Sequence, residues 1–414
     1  MNRRLLATAT ALLLTLTACN KATSGGQNAG GLKTGPGVTD STITLASLVD
    51  LTAVFAPLGK SLVQGTQLFW KEQNAAGGVC DRKVEVVVKD HGYDPQKAVA
   101  LYREVSGDVL GLQTVLGSPV VGALKSSIAQ DDMFAGFAGW SASVLGDEHF
   151  QLVGTTYDIE AITGLDFLMR EKGIKSGDKV GHVYFEGDFG ENALRGSKYL
   201  AEKEGLTIVE QKIKPTDTDL SAQVAAFRNE GVKAILVSAG PAQTASVAGV
   251  AKSVGLTVPI VANGPGFTPQ LLATPAGPAL AENLTVVSSI APFATEDPDV
   301  QKVADAFTAE YPDDKPTQVG FMFGYTQAKV TLAVLEKACE NKDLTRAGVL
   351  TAMHEISDLD TGGLTAGPLD YTDPAQPPTR TVYLSKVDPT VQGGLVTIGD
   401  PVEADAAKDY KPAA

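Results

Sequence analysis

The side chains of this 414-residue chain that could do chemistry are few and poorly spaced for it. The four histidines, His91, His149, His182 and His354, stand far apart. No two have metal-ligand spacing and no HExxH stretch occurs, so no metal site is expected. Gly139-Trp140-Ser141-Ala142-Ser143 approaches the Gly-x-Ser-x-Gly turn that exposes a nucleophilic serine. Ser143, however, stands where that turn needs its second glycine. Gly264-Pro265-Gly266 lacks the final glycine of a dinucleotide fingerprint, and no Walker loop is present. Neither a catalytic residue nor a cofactor is expected.

One cysteine does have a reactive setting. Leu16-Thr17-Ala18-Cys19 follows Arg3, Arg4 and the apolar run Ala11–Leu16. A basic start, a short apolar run and small residues before a cut describe a secretory signal peptide. A Cys directly after the small residues is similar to the bacterial lipobox, whose sulfur carries a lipid. The expectation is a signal peptide over 1–18, a lipidated Cys19 and a flexible tether completing 19–38. That tether is rich in Gly, Ser, Asn, Thr and Lys and cannot build a core. An ordinary signal peptide with a coincidental Cys is the alternative.

The apolar run is shorter than the roughly 20 residues a membrane span needs, and no later segment qualifies. The mature chain is expected to sit on the outer face of a cell membrane or in a periplasm, anchored by lipid. Cleavage removes only Arg3 and Arg4, which moves the net charge from −14 to −16. Nucleic acid and anionic head groups, which need basic patches, are therefore not expected partners. Cys80 and Cys339 remain. Leftover thiols in an oxidising compartment pair as a disulfide, or else stay as two buried free thiols.

Nearly 400 residues exceed one ordinary core, so two domains are expected. Strand-like and helix-like segments alternate from residue 41. Strands are expected over 43–48, 84–88, 114–117, 179–185, 207–213, 234–238 and 258–262. Helices are expected over 59–74, from Asp94-Pro95 onward, and over 191–205, 220–231 and 243–255. Such alternation means parallel sheets covered on both faces. Two blocks, near 41–150 and 178–288, give two doubly wound α/β domains. Later, 321–341 reads as one long helix, and 380–387 and 394–398 as short strands that complete those domains.

These segments resemble the solute-binding lipoproteins of ABC importers of the branched-chain amino acid type. The resemblance spans about 41–400. It is carried by Gln64-Gly65, Glu72 to Val79 (EQNAAGGV), Arg82-Lys83-Val84, Asp90 to Ala98, and Gly324-Tyr325-Thr326-Gln327-Ala328. In the last, Thr-Gln replaces the family's Asp. The resemblance implies a type I periplasmic-binding fold, with two Rossmann-like lobes joined by three hinge crossings near 153–156, 288–292 and 373–380. Lobe 1 would be 41–153 plus 291–373, and lobe 2 155–288 plus 380–400. Cys80 and Cys339 would then share lobe 1. The implied protein is a monomer that closes on a small organic ligand and delivers it to an ABC permease.

Amino-acid members hold the ligand carboxylate with hydroxyls and backbone N–H groups of one lobe, and the ammonium with a carboxylate of the other. Laid on this chain, the family serine falls on Val121, and the next loop's small residue and Thr fall on Trp140 and Ser141. The family's cleft tyrosine falls on Leu58, its loop aromatic on Phe189, and the ammonium-binding glutamate on Pro265. Ser118, Tyr157, Gly240 and Tyr325 complete the expected ligand-binding set. Losing the glutamate points to a less polar ligand, such as an aromatic or aliphatic carboxylate. Trp140 would stack on it and Ser118 or Ser141 would bond its polar end. Glu186 or Asp188 could supply a carboxylate from a shifted position, which keeps a branched-chain amino acid or amide as an alternative. Each residue also has a plainer reading: core packing for Trp140 and Phe189, helix capping for Ser118, structure for Tyr157 and Tyr325. A ligand-sensing subunit of a signalling system is a further alternative, since the same fold serves receptors.

Overall fold

The computed structural model describes residues 31–314 and 318–413. The expected signal peptide, Cys19 and the first part of the tether lie outside them. Within the expected tether, Lys33–Thr34 is a strand, paired in parallel with Asp343–Leu344. Ordered structure therefore begins before residue 38, because those backbone groups find partners at the end of a later helix.

Two sheets organise the molecule. The first has five parallel strands in the spatial order Lys83–Asp90, Thr42–Val49, Gly111–Leu116, Phe134–Ala138 and Phe150–Leu152. The second has seven, in the order Leu395–Thr397, Tyr383–Val387, Leu284–Ser288, Ile260–Asn263, Ala234–Ser238, Lys179–Phe185 and Thr207–Ile213. Five of these are parallel, and the two C-terminal strands add antiparallel at one edge. Ile43, Leu45, Leu112 and Val115 are at most 1% exposed, as expected of strands covered on both faces.

The chain passes from the first sheet after Leu152 into the helix Tyr157–Lys172, which packs under the second sheet. It returns after Ser288 to the helices Pro298–Glu310 and Gln318–Glu340, and crosses again before Tyr383. The crossings are tied together: Thr155 N donates to Ser289 Oγ at 2.9 Å, and Ala366 N to Ser289 O at 2.8 Å. Residues 404–410 extend the second lobe past residue 400, where Tyr410 donates its hydroxyl to Asp158 at 3.0 Å. No helix among the described residues is long and apolar enough to cross a membrane.

The helices Ala56–Ala75 and Gln318–Glu340 cross at unusually short range, and two glycines allow it. A Cβ on Gly65 would lie 2.1 Å from Phe321 O, and one on Gly324 2.1 Å from Leu62 O. Next to this contact lies a buried polar chain. Trp70 Nε1 donates to Gln113 at 3.0 Å, Gln113 to Thr331 at 3.3 Å, and Thr114 to Gln327. Cys80 and Cys339 form a disulfide with a Cα–Cα distance of 6.2 Å.

Candidate functional site

The C-terminal ends of the strands in both sheets point into the cleft between the lobes, where open α/β sheets hold ligands. At its centre is a narrow cavity, partly open to solvent. Phe55, Leu58, Tyr93, Leu116, Gly117, Ser118, Ala138 and Trp140 line it from the first lobe, and Tyr157, Phe189 and Pro265 from the second. No charged side chain lines it.

Local sequence explains each wall. Ser118 opens the helix Ser118–Gln130, with Gly117 before it at φ 103°. That left-handed backbone suits glycine, and its missing side chain leaves room for a ring: a Cβ there would sit 2.5 Å from Tyr93 Cε2. Gly117 therefore takes the capping position expected of Ser118. The Ser118 hydroxyl is 3% exposed and has no hydrogen-bond partner. A buried hydroxyl left unpaired costs stability, so this one faces the cavity at a price in free energy. The positive end of its helix lies at the same place.

Aromatic rings form the rest of the wall. Trp140 donates Nε1–H to Val153 O at 2.8 Å, and its ring meets Phe323 at 4.9 Å and Tyr157 at 6.0 Å, both edge-on. Tyr157 N donates to Trp140 O at 2.6 Å, across the first crossing. Tyr157 and Phe189 rings lie 4.3 Å apart, and Phe55 meets Tyr93 at 5.0 Å. Burial pushes the Tyr93 and Tyr157 phenols above their ordinary range, so both stay neutral donors.

The nearby carboxylates are already engaged. Asp50 accepts from the Thr52, Ala53 and Phe55 N–H groups at 3.1, 2.7 and 2.8 Å. Asp188 accepts from Ser143 Oγ at 2.8 Å, and Glu160 from Asn263 Nδ2 at 2.7 Å. Glu186 is exposed. Among the described residues, no group of three His, Cys, Asp or Glu is placed to hold a metal ion.

Of the expected ligand-binding set, the cavity brings together Ser118, Trp140, Tyr157, Phe189 and Pro265, with Leu58 beside them. Four others are elsewhere. Val121 is buried inside the first lobe and does not line the cavity. Ser141 accepts from Ser143 N at 3.2 Å and caps a short turn instead of reaching a ligand. Gly240 lies at the lobe boundary, where a Cβ would sit 3.6 Å from Val54 Cγ2, outside the lining. Tyr325 points to the outer side of its helix, giving its hydroxyl to Glu72 at 2.8 Å and packing on Phe69 at 5.1 Å. Phe55, Tyr93 and Leu116 line the cavity without having been anticipated. Their one sequence signal is their place in or beside the loops that follow the C-terminal ends of strands.

Known proteins share this fold. Residues 42–394 match the model of a family described as periplasmic binding protein. A fatty acid ABC transporter substrate-binding protein from Thermomonospora curvata is 48% identical, with a TM-score of 0.90 over 93% of this chain and 98% of that one. A branched chain amino acid ABC transporter protein from Thermus thermophilus, with bound valine, is 19% identical, with a TM-score of 0.79 over 89% and 98%. The Leu/Ile/Val-binding protein homolog 8 of Brucella abortus (strain 2308) is 22% identical over 71% of this chain and 76% of its own length.

Proposed function

The chain belongs to the periplasmic binding protein family, and on that premise we propose that it captures a carboxylate with a hydrocarbon body, of the fatty acid class. It is an extracytoplasmic substrate-binding protein of the ABC transporter kind. In the proposed reading it does no chemistry. It closes on its ligand and presents it to a permease as a monomer held to the membrane through Cys19.

The carrying observation is the cavity wall: apolar rings, one unpaired buried hydroxyl at a helix N-terminus, and no free carboxylate. An ammonium group enclosed here would have no anionic partner, a costly burial. A carboxylate would accept from Ser118 and lie at the positive end of the helix. The printed description of the 48% identical Thermomonospora protein supports the same class. A ligand touching Ser118 and Tyr93 on one lobe, and Tyr157, Phe189 and Pro265 on the other, favours the closed form by its extra contacts there.

The test is a thermal-shift titration of the mature chain with straight-chain carboxylates, the matching 1-alkanols, leucine and valine. Ligands that bind only the folded state raise the melting temperature. Shifts with carboxylates, weaker ones with alkanols and none with amino acids are expected. A shift with leucine or valine alone would overturn the reading.

A further inference from the structure

The loop that carries Tyr93 to the cleft is bent in a way a tyrosine does not favour. Gly92 and Tyr93 both stand at φ 58°. Left-handed backbone suits glycine, is uncommon for a bulky residue, and persists where surrounding bonds over-determine it. Two side chains supply those bonds. Asp90 accepts from Gly92 N at 2.9 Å, and His91 Nδ1 accepts from Tyr93 N at 3.0 Å.

His91 is fully buried and does not line the cavity. Its own N–H donates to Val49 O at 2.9 Å, which pins it to the end of the neighbouring strand. An imidazole nitrogen accepts a hydrogen bond only when it carries no proton. Burial holds the His91 ring below its ordinary range, aided by Lys97 and against the pull of Asp50 and Asp90. The ring therefore stays neutral and Nδ1 keeps its lone pair for Tyr93.

The ring placed in this way is part of the ligand cavity. It lies over Gly117, where a Cβ would sit 2.5 Å from Tyr93 Cε2, and meets Phe55 edge-on at 5.0 Å. Phe55 is held in turn by Asp50, which accepts from its N–H at 2.8 Å. Asp50 and His91 follow the paired strands Thr42–Val49 and Lys83–Asp90, whose last residues lie side by side. Each of these two buried polar side chains thus holds one aromatic residue of the wall by its backbone N–H.

We propose that His91 is a positioning residue for ligand binding, which sets the Tyr93 ring against the ligand through Nδ1 without touching the ligand itself. The inference rests on the cleft cavity being the ligand site. Without the Nδ1 bond, Gly92 and Tyr93 relax toward ordinary backbone and the ring leaves its seat over Gly117.

The test compares dissociation constants of hexadecanoate and leucine for the mature chain, His91→Leu, His91→Gln and His91→Asn, with melting curves to establish which variants are folded. Asn carries its oxygen on Cγ, as His carries Nδ1, so it can accept from the N–H two residues on. Leu offers no acceptor, and Gln carries its oxygen one carbon too far. Affinity for the probe that the parent binds should weaken roughly tenfold in the Leu and Gln variants and return to within about threefold in the Asn variant. In a Tyr93→Ala background, His91→Leu should cause little further loss, because the two residues act as one unit. Parent affinity in a folded Leu or Gln variant, equal losses for Leu and Asn, or additive losses in the double variant overturns the positioning role and leaves the carboxylate reading intact. Binding of leucine alone overturns the carboxylate reading, and the same variants then test His91 with leucine. If the parent binds neither probe, both fall.

Discussion

The hydroxyl of Ser143, in the first lobe, donates to the carboxylate of Asp188, in the second, across 2.8 Å. Close by, Asn192 Oδ1 accepts from Ala142 N of the first lobe at 3.3 Å, while Asn192 Nδ2 donates to Asp158 of its own lobe at 3.1 Å. Together they form a polar clasp beside the cleft that fastens the closed arrangement without touching the cavity. The clasp occupies Asp188, one of the two carboxylates that a shifted amino-acid site could have used; the other, Glu186, is exposed.

Asn192→Ala removes part of that clasp and leaves the cavity walls intact. The ligand-free variant should populate the open form more, since each lost interlobe hydrogen bond is worth about 1 kcal/mol. Small-angle scattering should show a larger radius of gyration without ligand and the parent value with saturating ligand. Equal ligand-free radii would assign the clasp no role in closure.

Ser118→Ala separates binding from stability. Removing an unpaired buried hydroxyl should leave the ligand-free melting temperature unchanged or raise it. Carboxylate affinity should fall by roughly tenfold, the scale of a hydrogen bond to a charged group, and alkanol affinity much less. A variant with full carboxylate affinity would take Ser118 out of the site.

Trp140 both packs the junction and walls the cavity. Trp140→Ala should weaken ligand binding by at least about tenfold and cost roughly 3–5 kcal/mol of stability. Trp140→Phe keeps a ring but loses part of the indole volume and the bond to Val153 O, so it should cost about 1–3 kcal/mol, less than Trp140→Ala, and retain most of the affinity. Calorimetric titration and denaturation of both variants check this. Equal binding losses for Ala and Phe would contradict a packing role for the ring.

The Cys80–Cys339 bridge spans 259 residues. Replacing both with Ser should lower stability by about 2–5 kcal/mol with little change in ligand affinity, because the bridge lies away from the cavity. A denaturant midpoint equal to that of the oxidised parent would refute the stabilising role. Alkylation of two thiols in the denatured, unreduced parent would refute the bridge itself.

Stability should fall as pH rises from about 4.3 toward 8. Burial pushes the Glu160 carboxyl up to about 8, against about 4.3 for an exposed glutamate. Between those values the folded protein keeps a proton that the unfolded chain has lost, so unfolding becomes easier as pH rises. His182, pushed down to about 3 by burial, acts with the opposite slope only below about pH 6.5. In the interval from about pH 6.5 to 8 the slope comes from Glu160 and from its neighbour Asp158, whose carboxyl burial also raises. Glu160→Gln should narrow the drop in denaturant midpoint across it, and an undiminished drop would clear Glu160.

Much of the framework was legible from residue type. The strands Lys179–Phe185, Thr207–Ile213 and Ala234–Ser238 fall on their expected bounds; Ala234–Ser238 is a buried, nearly continuous apolar run, whereas Thr207–Ile213 is a partly exposed edge strand. Phe134–Ala138 was not anticipated: its sequence, FAGFA, holds no β-branched residue, and its strand character comes from neighbours on both sides. The cavity was half legible. Trp140, Phe189 and Pro265 could be placed through the resemblance, since they occupy motif positions. Tyr93 could not, because loop residues follow no period and its place depends on a left-handed φ of 58°. Tyr325 misled for the opposite reason: its motif is at the expected place, but the helix turns its side chain toward Glu72.

The disulfide also joins two parts of the first lobe that are far apart along the chain. A chain delivered end first across a membrane presents Cys80 well before its partner Cys339. By the time Cys339 follows, every parallel strand of the second sheet has been delivered. The second lobe can therefore form most of its core while the first is still missing its longest helix. Once bridged, the first lobe holds its two separated segments as one covalent piece. A protease that nicks the intervening excursion leaves two fragments that stay tied together.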